Sequence, residues 1–209
     1  MFEHGKLPIM GILRGIEERN VQPLAETCID AGMDYLEITM NTNDAVGLIR
    51  QMTEVSNDRL IIGAGTVLTT NDLEEALAAG AKFIVCPTIV EAVITECLMQ
   101  KIPVFPGALT PNEFQKAWDM GATMVKLFPA SVFGPSYIKE LKGPFNSLKI
   151  IAVGGVNEQN IGSYFKSGAE AVAFGASIFK PEWLAKDRYE LIKEGLMALI
   201  GSYKKWLTA

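Results

Sequence analysis

Four times along the chain a residue pair ending in glycine closes a helix-like stretch and opens onto an apolar run: Ala31-Gly32, Ala79-Gly80, Met120-Gly121 and Ser167-Gly168. Successive glycines of this set lie between 41 and 48 residues apart. Glycine tolerates the left-handed backbone that ends a helix, so each pair marks where a helix stops and a strand starts. A spacing of that size holds two strand–helix units, and four blocks predict about eight strands.

Short apolar runs stand where those strands are needed, at Pro8–Leu13, Tyr35–Thr39, Leu60–Gly65, Phe83–Cys86, Ile102–Phe105, Met124–Phe128, Leu148–Val153 and Ala171–Phe174. They are rich in Ile, Val, Leu and Phe and too short for buried helices, as in a parallel sheet covered on its outer face. Helical spacing fills the intervals, over Val21–Ala31, Asp44–Ser56, Asp72–Ala79, Glu91–Gln100, Pro111–Met120, Pro135–Leu141, Glu158–Ser167 and Glu182–Leu199. Thr88 with Glu91 and Thr110 with Glu113 have capping-box spacing, Asn71 with Glu74 gives a similar opening that overlaps a start at Thr70, and Pro111 suits a first helical position. Gly195 and Gly201 weaken the final segment and are expected to divide it. The grammar predicts an α/β fold, a TIM (β/α)8 barrel, as one domain over residues 1–209. An open doubly wound sheet is the architectural alternative, but no glycine-rich dinucleotide fingerprint follows the first strand at Leu13-Arg14-Gly15.

Bulk properties remove several functions. The formal net charge of -5 lacks the basic surplus of a nucleic-acid binder. No long apolar span or signal-peptide pattern is present, so no membrane partner is expected and cytoplasmic residence is the simple reading. His4 is the only histidine and lies near the start of the chain, which leaves little basis for His-based zinc sites or Ser-His-Asp chemistry. Cys28, Cys86 and Cys97 read as small buried hydrophobes in a reducing compartment.

In a parallel barrel, chemistry belongs at the C-terminal ends of the strands. Arg14, Glu37, Thr66 and Lys126 occupy such ends on four separate strands. Lys126 interrupts the apolar run Met124-Val125-Lys126-Leu127-Phe128-Pro129. A lone lysine there commonly snorkels to water; with a carboxylate partner in a barrel, burial instead disfavours the ammonium form and exposes an amine that attacks a carbonyl. Glu37 shares a strand face with Tyr35 and Thr39 and can shuttle protons, its simpler role being a salt bridge. Arg14 is suited to hold a carboxylate or to position Glu37, with a structural ion pair as the competing role. Thr66 closes Gly63-Ala64-Gly65-Thr66, where a hydroxyl can meet a carboxylate or simply serve a turn. Gly154-Gly155 and Gly175-Ala176-Ser177 offer exposed backbone N–H groups and helix starts for an anion, although a Gly-Gly pair alone is weak.

On Ile12-Leu13-Arg14-Gly15, Leu36-Glu37-Ile38-Thr39, Gly63-Ala64-Gly65-Thr66-Val67, Met124 to Ala130, Gly154-Gly155-Val156 and Gly175-Ala176-Ser177, the chain resembles the 2-keto-3-deoxy-6-phosphogluconate and 4-hydroxy-2-oxoglutarate aldolases. The resemblance runs over nearly the whole chain. It implies a class I aldolase in which Lys126 forms the Schiff base and Glu37 shuttles protons. Thr66, Pro87 and Phe128 would shape the pyruvate end; Gly154, Gly155 and Ser177 would face phosphate. It further implies a phosphorylated keto-acid substrate, pyruvate as product, no metal or organic cofactor, and a homotrimer. Members that cleave the phosphogluconate commonly carry Arg where this chain has Asn41, and Pro-Thr where it has Ala152-Val153. Asn41, Phe133 to Lys139 and Ala152 to Val156 look more like the branch acting on 2-keto-3-deoxy-6-phosphogalactonate, a stereoisomer. A 4-hydroxy-2-oxoglutarate aldolase and a noncatalytic sugar-phosphate binding barrel are the alternatives.

Overall fold

Gly32, Gly80, Gly121 and Gly168 all have φ between 84° and 103° in the computed structural model, which describes residues 6–208. Each ends a helix as the sequence requires. His4 lies outside the described residues. Among them, no helix is long and apolar enough to cross a membrane.

The first half of the chain runs β1 (Ile9–Leu13), α1 (Glu18–Asp30), β2 (Tyr35–Thr39), α2 (Ala45–Ser56), β3 (Ile61–Gly65), α3 (Thr70–Ala78) and β4 (Ile84–Val85). After α4 (Glu91–Met99) come β5 (Val104–Phe105) and β6 (Gly107–Ala108), then α5 (Pro111–Asp119) and β7 (Val125–Leu127). The second half continues with α6 (Ser136–Lys142), β8 (Ile150–Val153), α7 (Ile161–Lys166) and β9 (Ala171–Phe174). Two helices, α8 (Pro181–Leu184) and α9 (Tyr189–Leu207), follow.

All the strand pairs are parallel, in the order β5-β4-β3-β2-β1-β9-β8-β7-β6. The two ends of that order, β5 and β6, are one stretch of chain interrupted by Pro106. Before the proline the stretch serves β4, with the Phe105 carbonyl accepting from the Cys86 N–H at 3.1 Å. The Pro106 carbonyl accepts from the Lys126 N–H at 2.8 Å, on the β7 side. Proline has no N–H for a continuous ladder, which splits the expected fifth strand while its two halves close the sheet into a (β/α)8 barrel.

Side chains alternate between two apolar layers. Met10, Tyr35, Phe83, Val85, Phe105, Met124, Ile151 and Val153 fill the barrel interior, whereas Leu36, Ile38, Val125 and Leu127 belong to the layer under the helices. Glycines on the inward face create the room. A methyl group at Gly63 would lie 2.3 Å from the Phe83 ring, one at Gly65 would lie 1.6 Å from the Glu37 Oε1, and one at Gly107 would lie 2.1 Å from the Pro87 carbonyl oxygen.

Local chemistry sets the helix starts with three departures from expectation. Thr110 and Glu113 form the predicted capping box ahead of Pro111. For α3 the box is Thr69 with Asp72, two residues earlier than Asn71 with Glu74, because α3 begins at Thr70. Thr88 caps nothing: α4 starts after Val90, which has no side-chain cap. The last segment does divide, but at Ala185 to Arg188, where Asp187 has φ of 52°; Gly195 and Gly201 both lie inside α9. Gly195 is useful there, since a methyl group would stand 3.3 Å from Ile178.

Gly63→Ala is expected to force Phe83 out of its place in the interior and to destabilise the fold by about 1–3 kcal/mol, the usual cost of overpacking. Urea unfolding of the variant beside the wild-type chain measures it.

Candidate active site

Strand alternation turns Met124, Lys126 and Phe128 toward the barrel axis, because Val125 and Leu127 are taken by the outer layer. The same rule turns Tyr35, Glu37 and Thr39 inward on β2. Lys126 is only 6% exposed and Glu37 1% exposed. Burial is the largest influence on each and pushes both toward neutrality: the Glu37 carboxyl is held above the ordinary range, and the Lys126 ammonium below it. Their mutual attraction opposes this without forming an ion pair within 4.0 Å among the described residues. The Glu37 Oε2 is buried with no hydrogen-bond partner among the described residues. A carboxyl so placed holds a proton readily and has one oxygen available to a substrate.

Arg14 stands at the end of β1, exposed, with no hydrogen bond or ion pair to the described residues. Its charge favours the ionised form of Glu37 and disfavours that of Lys126. The structural ion pair considered for Arg14 is therefore not formed, and the guanidinium is available to an anion. Its loop is fixed by hydroxyls on β2 and just after it. The Gly15 N–H donates to the Thr42 Oγ1 at 3.0 Å, and the Thr39 and Thr42 hydroxyls are 3.0 Å apart. Thr39 and Thr42 are buried and were not singled out from the sequence, where Thr39-Met40-Asn41-Thr42 reads as ordinary turn chemistry.

The Phe128 ring, 39% exposed, carries the Lys126 Nζ at 5.0 Å from its centroid. It also lines a cleft of about 500 Å³ together with Arg14, Gly154, Gly155, Val156, Gly175 and Ser177, among others. Phe128 thus joins the buried amine to the open cavity. Pro87 lies on the other side of Phe128, in a second hollow that includes Gly107, the register partner of Lys126. Next to Pro87, burial pushes the Cys86 thiol up to about 12, so it stays protonated and unreactive beside the amine.

Thr66 has φ of 57°, an uncommon conformation for a β-branched residue that costs on the order of 1–3 kcal/mol. It follows Gly65, against which the Glu37 carboxyl rests, and the next N–H, on Val67, is tied to the Val85 carbonyl. Asn41 is exposed on the loop after β2 and does not line the cleft.

The glycine loops form the far wall of the cleft. Gly154 and Gly155 both have positive φ, 106° and 74°. Beyond the strands, the N–H groups of Gly155, Val156, Ala176 and Ser177 donate no hydrogen bond to the described residues. One expectation changes: no helix starts directly at either loop, since α7 begins at Ile161 and α8 at Pro181. An anion would be met here by loop amides. The Ser177 hydroxyl donates to the Val156 carbonyl at 3.0 Å and so ties the two loops together.

Comparison with known proteins places this geometry. The family model described as KDPG and KHG aldolase matches residues 3–194. The 2-dehydro-3-deoxy-6-phosphogalactonate aldolase of Escherichia coli (strain K12) is 35% identical over 176 residues, covering 84% of this chain and 86% of that protein. A solved structure titled as native KDPGal superposes with a TM-score of 0.92 at 31% identity, covering 100% of both chains. The KDPG aldolase of Legionella pneumophila, captured with pyruvate as a covalent carbinolamine intermediate, gives a TM-score of 0.83 at 28% identity, over 92% of this chain and 94% of that one.

Replacement of Glu37 by Gln separates its charge from its shape. A carboxyl raised by burial contributes stability that is present below its ordinary value near 4.5 and is lost as pH rises through the higher folded value. The variant is therefore expected to gain stability relative to the wild-type chain between about pH 5 and about pH 8. Urea midpoints at the two values give the result; a gap that does not change with pH would mean an unshifted carboxyl.

Proposed function

The chain belongs to the KDPG and KHG aldolase family, and from that premise we propose that it cleaves its substrate through an imine on Lys126. It is an aldehyde-lyase acting on a 2-dehydro-3-deoxy-6-phospho-aldonate, phosphogluconate or phosphogalactonate in type, with pyruvate and glyceraldehyde 3-phosphate as products. The observation that carries the proposal is the pairing of a buried amine with a buried carboxyl in one apolar barrel, each biased toward its neutral form.

The neutral Lys126 amine attacks C2 of the keto acid. Glu37 gives its proton to the resulting C2 hydroxyl, which leaves as water, and the iminium forms. The Glu37 carboxylate, directly or through a water, then takes the proton of the C4 hydroxyl. The C4 alkoxide collapses to an aldehyde, the C3–C4 bond breaks, and its electron pair moves into the iminium as an enamine. Protonation at C3 and hydrolysis release pyruvate and restore the amine. The imine is the electron sink, so the scheme draws on no metal or organic cofactor.

Arg14 and Thr66 are assigned to the substrate carboxylate, Pro87 and Phe128 to the walls of the pyruvate end, and Gly154, Gly155, Gly175 and Ser177 to the phosphate. The resemblance of Asn41 and the Ala152-Val153 pair to the phosphogalactonate branch supports that substrate over its epimer. The alternative substrate, 4-hydroxy-2-oxoglutarate, would leave the glycine loops unused. A noncatalytic sugar-phosphate barrel would keep the cleft and form no adduct. One domain over residues 1–209, cytoplasmic residence and a homotrimer complete the proposal; exposed Met99, Val132 and Phe133 supply apolar surface for subunit contact.

Borohydride added to enzyme and pyruvate is expected to leave a reduced adduct on Lys126, located by peptide mass mapping. Lys126→Met should lose the adduct and turnover together. Because burial lowers the amine's proton affinity, trapping should remain effective near neutral pH and fall as pH drops through the folded value. Adduct formation at another lysine, or full turnover by the variant, defeats the mechanism. Comparing kcat/KM for the two phosphorylated epimers and the short dicarboxylate tests the substrate: a preference for the dicarboxylate removes the phosphate assignment.

A further inference from the structure

The Gly155 carbonyl receives two side-chain donors. The Asn160 Nδ2 lies 2.8 Å from it and the Asn157 Nδ2 lies 3.3 Å from it. Asn160 is itself oriented, because its Oδ1 accepts from the Asn157 N–H at 2.9 Å. Asn157 in turn accepts through its Oδ1 from the N–H groups of Gln159 and Asn160, at 2.9 and 3.2 Å. The side-chain amide of Asn160 is thereby committed, oxygen toward the turn and nitrogen toward Gly155.

In a trans peptide the carbonyl and the N–H point in opposite directions. The Gly155–Val156 bond is trans, as the one cis peptide among the described residues is Phe128–Pro129. Fixing the Gly155 oxygen on the asparagine side therefore turns the Val156 N–H to the other side. Gly155 and Val156 both line the cleft, and the Val156 N–H has no acceptor among the described residues. On its other flank the Val156 carbonyl is held by the Ser177 hydroxyl. The peptide is clamped on both sides with one donor left over.

We propose that Asn160 is a positioning residue for the substrate phosphate, holding the Gly155 carbonyl so that the Val156 N–H is presented to the anion. The proposal rests on the phosphate assignment made above. It concerns the loop amide alone, since α7 has only 6 residues and its end offers no separate seat. Free rotation of that peptide would present a carbonyl oxygen to a phosphate in part of the population. A preset N–H avoids both the repulsion and the cost of reorientation.

Asn160→Ser tests it. Serine keeps a short polar side chain at the turn but, one atom shorter and without the amide nitrogen, does not reach the Gly155 carbonyl. For the variant, KM for the phosphorylated keto acid and the inhibition constant of inorganic phosphate are both expected to rise roughly tenfold, the loss of about one hydrogen bond to a charged group. Borohydride trapping of pyruvate on Lys126 should keep the wild-type rate, because pyruvate carries no phosphate. Asn160→Thr, with the same loss of donor, is the second variant should the serine form fold poorly. Unchanged KM and unchanged phosphate inhibition overturn the proposal. So does an equal loss of pyruvate trapping, which would make Asn160 a general structural residue. A wild-type enzyme that handles phosphorylated and unphosphorylated keto acids alike, uninhibited by phosphate, overturns the phosphate assignment itself and the proposal with it.

Discussion

An amine and a carboxyl buried in the same apolar barrel govern the rest of this structure. Each is unfavourable in its charged form there, and neither is relieved by a close ion pair. The barrel accommodates them with inward glycines: Gly65 leaves space for the Glu37 carboxyl, and Gly107, in register with Lys126, lets the Pro87 backbone approach. Arg14 stays outside at the mouth, near enough to bias both groups and free enough to meet an anion. A second basic group beside a lysine lowers the cost of its neutral form, so the cation at the mouth also biases the buried amine toward its unprotonated form.

The cleft divides its labour by type of donor. At the closed end the titratable groups are side chains fixed on strands. At the open end the free donors are peptide N–H groups on loops, whose direction is set by neighbours: Asn160 and Asn157 on one loop, Ser177 across to Val156 on the other. Peptide donors carry no net charge and do not titrate. An anion met by them would bring no further cation to perturb Lys126.

Much of this was legible in the sequence because it follows from local rules. The glycines after helices, the inward face of Tyr35-Leu36-Glu37-Ile38-Thr39 and the odd lysine in an apolar strand each need only a few neighbouring residues to interpret. What escaped depends on partners remote in sequence or on competition between near-equal options. The hydroxyl link from Thr42 to the Gly15 N–H joins two loops 27 residues apart. Thr88 has the spacing of a cap, but the backbone runs on to Val90 before turning helical. Gly195 and Gly201 looked like breaks, whereas packing against Ile178 makes the first of them an asset inside α9. The bond from Asn160 to the Gly155 carbonyl depends on a turn geometry that the residue types alone do not specify.

The split strand at Pro106 bears on the surroundings of the buried amine. The β5–β6 stretch is the seam of the sheet, and the Lys126 N–H is bonded to the Pro106 carbonyl at that seam. Without that stretch β7 would be an edge strand, and its lysine would meet water. Barrel closure dehydrates the amine and alters its proton affinity in the same step. The neutral bias of the amine therefore belongs to the closed barrel and not to the residues flanking Lys126, since an unfolded chain would leave the same amine hydrated.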